Sequence, residues 1–408
     1  MATIYEFKGL RPKKDIVEQV AVLPYDVVST EEAREIARNN SLSFFHVSKP
    51  EIDFPESVDY QDPRIYEQGK QYLRDMINRG FLLQDERPAL YLYTQVLSGR
   101  EQTGVVACVS IDNYLNKTIK KHELTREDKE NDRANHIDII NANTGQVFLF
   151  FNDDGSKRRL FQQALKIKAE YDFVSDDGVR QQLRIINDKA LIASMKTSFE
   201  NDILYIADGH HRAAAAVRVG QKRRRENPDY NGEEEFNKFM AVIYPHTQLR
   251  ILPYNRVIHD LNGLSKEQFI ERISADFYIQ QQDKKVPESI HEICMYLDHA
   301  WYVLLPRFDP GSDPILSLDV KLVQDHILDP VLGIKDPRKD TRIDFIGGEG
   351  SIPQLMRAVD GGSSRVAFSL FPTSIEQLMR VSDADKIMPP KSTWFVPKLR
   401  SGIVVHLL

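Results

Sequence analysis

The stretch Ile203-Leu204-Tyr205-Ile206-Ala207-Asp208-Gly209-His210-His211-Arg212, followed by the four alanines Ala213 to Ala216, decides how this chain is read. An apolar run enters Asp-Gly, and strong helix formers follow at once, so the pattern predicts a strand–turn–helix junction. Asp208 suits an N-cap, and Gly209 permits a sharp turn or a close backbone approach by a ligand. The start of such a helix presents N–H groups and a positive dipole end, which together favour an anion. Arg212 falls in the first turn, where a cation opposes the dipole unless an anion or a carboxylate compensates it. The alanines allow close packing on a sheet and are also the best helix formers. Each residue has a plain structural reading beside this one: Asp208 as a cap only, Arg212 as a surface ion pair. His210 and His211 are adjacent, so on a helix they point to different sides, which makes them a poor metal pair.

Outward from this junction, both hydrophobic periods alternate. Ser29 to Asn39 opens with capping residues and early glutamates, and Pro63 to Arg79 carries apolar residues at helical spacing before Gly80. Leu90 to Val96 and Gly104 to Ile111 read as strands joined at Ser98-Gly99, with Cys108 a small core residue. Val147 to Phe151, Arg184 to Asn187, Phe239 to Tyr244 and Arg250 to Ile258 are further strands, and Ser265 to Ala275 is a helix. Lys117 to Asn143 is long and polar between apolar strands. It fits a solvated helix with internal ion pairs, or a ligand-facing segment bearing His122, Glu123, Arg126, Arg133 and His136. Gln221 to Glu235 reads as a charged surface loop, and the tail from Lys391 to Leu408 as a docking segment. Mixed short strands and helices with a hairpin give an α+β class.

The 408 residues contain 54 Lys+Arg against 60 Asp+Glu, a net charge of −6. At roughly 150 residues per domain this length predicts two or three domains. The acidic balance argues against binding nucleic acid by phosphate neutralisation. Two cysteines, Cys108 and Cys294, are too few for a disulfide framework or a cysteine zinc site. No apolar run approaches the ~18 residues of a membrane span. The first residues carry early charges and nothing like a secretory signal, so a cytoplasmic protein without a membrane partner is expected.

The run Gly209-His210-His211-Arg212 resembles the phosphate-binding turn of the ParB/sulfiredoxin superfamily, in which a strand leads to a Gly-x-x-Arg helix start. Over nearly its whole length the chain resembles a bacterial family named domain of unknown function 1015 (DUF1015). The segments that carry this are LPYDVVS (Leu23–Ser29), HVSKPE (His46–Glu51), KKHELTREDKE (Lys120–Glu130), NANTG (Asn141–Gly145), YIADGHHRAAAA (Tyr205–Ala216), LRILPYNRV (Leu249–Val257), LDPVLGIKDPR (Leu328–Arg338), RIDFIGG (Arg342–Gly348) and MPPKSTWFVPKLRSG (Met388–Gly402). The resemblance implies a ParB/sulfiredoxin-like mixed domain with a second α+β lobe. The expected limits are 1–255 for the nucleotide- or phosphate-binding domain, with 90–182 inserted or appended, and 256–408 for the lobe.

Through the free serine kinase branch, the same resemblance implies a phosphotransferase. It would move a phosphoryl group from an adenine nucleotide, ATP or ADP with Mg2+, to a small-molecule substrate such as L-serine. The sulfinic-acid-reducing branch needs a cysteine at the turn, and position 210 is His. The expected roles are Gly209, Arg212, Arg126 and Lys391 on the cofactor. His210 and His211 would donate to phosphate, and Asp208 or Glu123 would serve as the carboxylate at the acceptor hydroxyl. A metal leaves no sequence trace here, because Mg2+ needs only one or two carboxylates. Pro24-Tyr25-Asp26, the group Arg338, Arg342 and Asp344 beside Gly347-Gly348, and Lys391 after Pro389-Pro390 are further pocket candidates that also fit ordinary turns. Trp394 and Phe395 fit anchors for the tail. The alternatives are a nucleotide-binding regulatory protein and a metal-dependent hydrolase using His210 and His211.

Overall fold

The computed structural model describes residues 2–408. The chain divides into two units: residues up to Leu249 together with Pro397–Leu408, and Arg250–Val396. The division falls ahead of the expected break after residue 255 because Tyr254–Ile258 is already an interior strand of the second sheet. The last residues return to the first unit, where His406–Leu407 pairs antiparallel with Ala142–Asn143.

The first unit is built on a nine-stranded mixed sheet. Its strands are β1 (Ile4–Tyr5), β2 (Leu90–Leu97), β3 (Arg100–Ser110), β4 (Ile119–Lys120), β5 (Val147–Phe151), β6 (Tyr171–Val174), β7 (Arg180–Ile186), β8 (Leu204–Asp208) and β9 (Lys238–Pro245). The order is β4-β8-β5-β9-β3-β2-β7-β6, with β1 on β3 beside the end of β2. The β8–β4 and β9–β5 pairs are parallel and the remaining pairs antiparallel, which makes the class α+β. Segment 90–182 supplies the interior strands β2, β3 and β5.

Four helices matter to the site: α1 (Thr30–Ala37), α2 (Pro63–Asn78), α3 (Glu127–Ile140) and α4 (His210–Glu226). Ser29 and Glu32 close a capping box on α1, as its sequence predicts. On one face of the sheet Val105, Ala107 and Val109 of β3 join Leu149, Ile206 and Ala241 in a single core. Ala213, Ala215, Ala216 and Val217 of α4 complete it. The alanine run thus lets the helix lie close to the strands. Helix α4 continues through Gln221–Glu226, where a loop was expected. Lys and Arg are good helix formers, and three arginines in the last turn suit the negative end of the dipole.

Helix α3 lies against both α2 and α4, and so the polar segment is a helix with charged groups turned inward. Tyr66 of α2 donates its hydroxyl to Asp132 at 2.9 Å, and Arg133 pairs with Asp132 at 2.7 Å and donates to the Ser48 carbonyl at 3.1 Å. The ring of His136, 1% exposed, is hydrogen-bonded to the Val47 carbonyl at 2.9 Å. Asp132, Arg133 and His136 are thus each matched by a partner, which is the condition for tolerating a buried polar group.

The second unit contains an antiparallel six-stranded sheet of β10 (Tyr254–Ile258), β11 (Phe277–Gln281), β12 (Ile293–Leu297), β13 (Ala300–Pro306), β14 (Ile343–Gly347) and β15 (Val366–Leu370). Its order is β11-β13-β12-β15-β10-β14, and α5 (Ser351–Asp360) packs Leu355 and Val359 on Val257, Cys294 and Ala367. The candidate arginines here make local pairs, Arg338 with Asp336 at 2.9 Å and Arg342 with Asp340 at 2.8 Å. The paired glycines receive an indole and no ligand: a Cβ on Gly347 would lie 2.6 Å from Trp394.

Two outcomes follow from this packing. A Cβ on Gly220 of α4 would lie 2.5 Å from the Phe236 carbonyl oxygen and 2.7 Å from Ile111. Gly220→Ala gains about 1 kcal/mol of helix propensity, but a backbone oxygen yields little, and overpacking costs about 1–3 kcal/mol. A lower urea midpoint with unchanged slope is expected; an equal or higher midpoint would refute the tight contact. Burial, with Arg133 adding to it, pushes the His136 ring down to about 3. The unfolded chain then binds the extra proton below its ordinary value near 6.5, so His136 costs no stability above that pH. Below it, stability falls by about 1.4 kcal/mol per pH unit down to the folded value. His136→Asn, which keeps a donor and cannot titrate, should flatten the denaturation free energy between pH 6 and 4.5, and an unchanged slope would contradict the assignment.

Candidate functional site

Strand β8 ends at Asp208, and Gly209 adopts φ 91° and ψ 31° before α4 begins at His210. This left-handed conformation suits glycine, and a Cβ there would lie 3.0 Å from the Arg212 guanidinium, which folds back beneath the turn. Asp208 does not cap the helix. Its carboxylate accepts from the Gly209 N–H at 2.8 Å and from the Lys398 ammonium at 3.0 Å, and no side chain caps α4. The positive end of this 17-residue helix thus stands at the glycine turn, with no side chain on its N-cap residue.

Arg212 is 8% exposed. It donates one Nη to the Gln146 carbonyl, and the other lies 3.6 Å from Asp26 and 3.9 Å from Asp208, while Nε has no hydrogen-bond partner. Burial lowers the affinity of Arg212 for its proton, but Asp26 and then Asp208 more than restore it. Burial would raise the Asp208 carboxyl, yet Lys398 and then Arg212 outweigh it and hold the group well below the usual carboxylate range. Asp26, from the Pro-Tyr-Asp turn, is thus part of the cluster. Beside it a cavity of about 20 Å³ is lined by Pro24, Tyr25, Arg133, His136, Gly145 and Arg212 among others. The Arg133 guanidinium stands 4.1 Å from the centre of the Tyr25 ring.

The loop between β4 and α3 brings a second group to the start of α4. The buried rings of His122 and His210 meet edge to face at 4.5 Å. His210 Nδ1 is 3.8 Å from a Glu123 carboxylate oxygen, and that side chain is 39% exposed. Neither His122 Nδ1 nor His210 Nε2 has a hydrogen-bond partner. Burial pushes His122 down to about 4, partly opposed by Asp208, and burial together with His122 pushes His210 well below its ordinary value. Both rings are neutral at pH 7.

The two adjacent histidines diverge. His211 Nε2 accepts the backbone N–H of Arg126 at 3.1 Å, and burial, opposed by Asp26, lowers its affinity for a proton. The ring of His210 meets His122 instead, so the two adjacent histidines serve different contacts. The exposed side chain of Arg126 is paired with Asp128 at 2.8 Å, while its backbone reaches the site. Lys391 belongs to the second unit, where its ammonium stands 5.5 Å from the centre of the Tyr254 ring.

Of the residues expected at the site, Asp208, Gly209, His210, His211, Arg212, Glu123 and the Arg126 backbone come together in the first unit. Sequence reading missed Lys398 and Gln146. Lys398 meets Asp208 across 190 residues of chain, and its only sequence signal is a cation in an apolar, proline-bearing tail.

A search of curated proteins returned no match. Among solved structures, the chain is similar to a free serine kinase in complex with AMP at 11% identity and TM-score 0.41, covering 74% of this chain and 91% of that one. It is also similar to SbnI with C-terminal truncation from Staphylococcus aureus, at 12% identity and TM-score 0.40, covering 74% and 87%. A conserved hypothetical protein from Pyrococcus furiosus follows at 13% identity and TM-score 0.37, covering 74% and 95%. The family described as "Protein of unknown function (DUF1015)" matches residues 4–321, well over half of the sequence, and the chain belongs to that family.

Proposed function

We propose that the first unit is a phosphotransferase. It would bind ATP or ADP through the phosphates at the start of α4 and pass a phosphoryl group to the hydroxyl of a small amino acid, L-serine being the expected acceptor. One observation carries this reading. A long helix begins behind a left-handed glycine with no side-chain cap, above a buried arginine that has an unpartnered Nε. Backbone N–H groups, the helix dipole and a guanidinium then converge where a phosphate is stabilised.

The two candidate carboxylates separate by environment. A carboxylate held as strongly ionised as Asp208 is a weak base and is occupied by Lys398 and Gly209, so its role is to orient Arg212 and the turn. Glu123 is partly exposed on the His210 side of the same turn. In the transfer, the acceptor oxygen forms a bond to phosphorus, its proton passes to Glu123, and the phosphorus–oxygen bond to the nucleotide breaks with the electron pair leaving on the nucleotide. Asp26, whose side chain is partly exposed, would help hold Mg2+, which would neutralise phosphate oxygens.

Two measurements test this. ADP or ATP with Mg2+ should raise the melting temperature, with stabilisation of about 2.7 kcal/mol at one hundred times Kd. Arg212→Lys keeps a point charge without the planar fork and should weaken nucleotide binding by about tenfold or more. No shift with either nucleotide at millimolar concentration would end the phosphate-turn reading. Glu123→Gln should leave nucleotide binding in place and slow phosphoryl transfer to serine by about 10²–10⁴-fold. Nucleotide binding in the wild type with no transfer to any small hydroxyl compound would instead establish a regulatory nucleotide-binding protein.

A further inference from the structure

We propose that His122, Glu123 and His210 form a site for a divalent transition metal of the Zn2+ class, with its remaining coordination positions open. One ligand atom from each residue lies within 4.8 Å of the other two. Around a tetrahedral ion with bonds of about 2.0–2.1 Å, ligand atoms stand about 3.3 Å apart. The widest pair of ligand atoms must therefore close by up to about 1.5 Å.

Beyond the clustering itself, the state of the ring nitrogens points to an ion. His122 Nδ1 and His210 Nε2 are buried nitrogens without a hydrogen-bond partner, in rings 2% and 5% exposed. A buried polar atom left unmatched is a cost that coordination removes. The His122 ring packs edge to face on His210, which is itself buried at the start of α4.

Two imidazoles and one carboxylate form a catalytic-type zinc set, with three protein ligands and an open position for a small oxygen donor. Nitrogen donors favour Zn2+, Co2+ or Ni2+ over Mg2+ or Ca2+, so this site is chemically distinct from the Mg2+ of a nucleotide complex. A consequence rests on the proposed phosphotransferase reading. A metal held by Glu123 takes the carboxylate that would accept the acceptor's proton, so Zn2+ should suppress phosphoryl transfer while nucleotide binding persists.

The test is direct titration of the metal-stripped full chain with Co2+, followed by visible absorption, and displacement of Co2+ by Zn2+. One equivalent of Co2+ with the intense bands of a low-coordinate site is expected. His122→Gln and His210→Gln should each weaken binding by about tenfold or more, as should Glu123→Ala, whose side chain is partly exposed and so keeps the test free of folding defects. Absence of stoichiometric Co2+ binding, or binding equally tight in all three variants, would overturn the site. Melting-temperature shifts with ADP and Mg2+ on the same samples report separately on the phosphate turn. Loss of metal with nucleotide binding retained supports the metal site, and metal binding without any nucleotide response supports it while ending the phosphotransferase reading.

Discussion

A guanidinium taken out of water is the constraint on which this site depends. Arg212 is almost wholly buried beneath Gly209, and an unmatched charge at that depth would not be tolerated. It is matched by the Gln146 carbonyl, Asp26 and Asp208. Asp208 in turn needs Lys398, so four segments widely separated in sequence must arrive at one point. The nine-stranded sheet satisfies that demand. Strand β8 delivers Asp208, the chain ahead of β5 delivers Gln146, the turn near the N-terminus delivers Asp26, and the returning C-terminal segment delivers Lys398. The tail belongs to the first unit because its charge is needed there as much as because its apolar residues pack there.

The same network assigns chemistry by subtraction. Asp208 looked in the sequence like a cap or a base, and it does not cap the helix. Two cations hold it ionised, and its oxygens are taken by Gly209 and Lys398. That leaves α4 starting behind a glycine N-cap, with the positive end of its dipole at the turn. In this arrangement an acid in the right position in sequence serves electrostatics, and the neighbouring Glu123 is the more exposed of the two carboxylates.

Legibility followed the range of the forces. The strand–turn–helix junction, the hairpin of β2 and β3, the capping box at Ser29 and the α+β class rest on local propensity and period, and the sequence displays all of them. Helix α4 outran its expected end because a basic run reads as loop by composition while arginines in a last helical turn are stabilising. The inward charges of α3 were legible only as an unresolved choice, since a polar helix face and a buried ion-pair network have the same composition. Lys398 and Gln146 were invisible because nothing local links residues so far apart. His122 was visible only as polar chemistry, and its partnership with His210 depends on how the loop after β4 meets α4.

The order of residues after Gly209 has a geometric reason. Successive positions on a helix are turned by about 100°, so three consecutive side chains cannot share one target. His210 turns to His122 and Glu123, His211 meets the Arg126 backbone, and Arg212 folds under the glycine toward Asp26 and Asp208. One helical turn thereby fastens three different walls of the site to a single strand end. A pair spaced for one common ligand would need positions three or four apart, which this motif does not offer. The adjacent histidines are best understood as two separate attachments. The one that faces inward finds its counterpart on another segment, and for that reason the chemistry of the turn extends beyond the residues that first identify it.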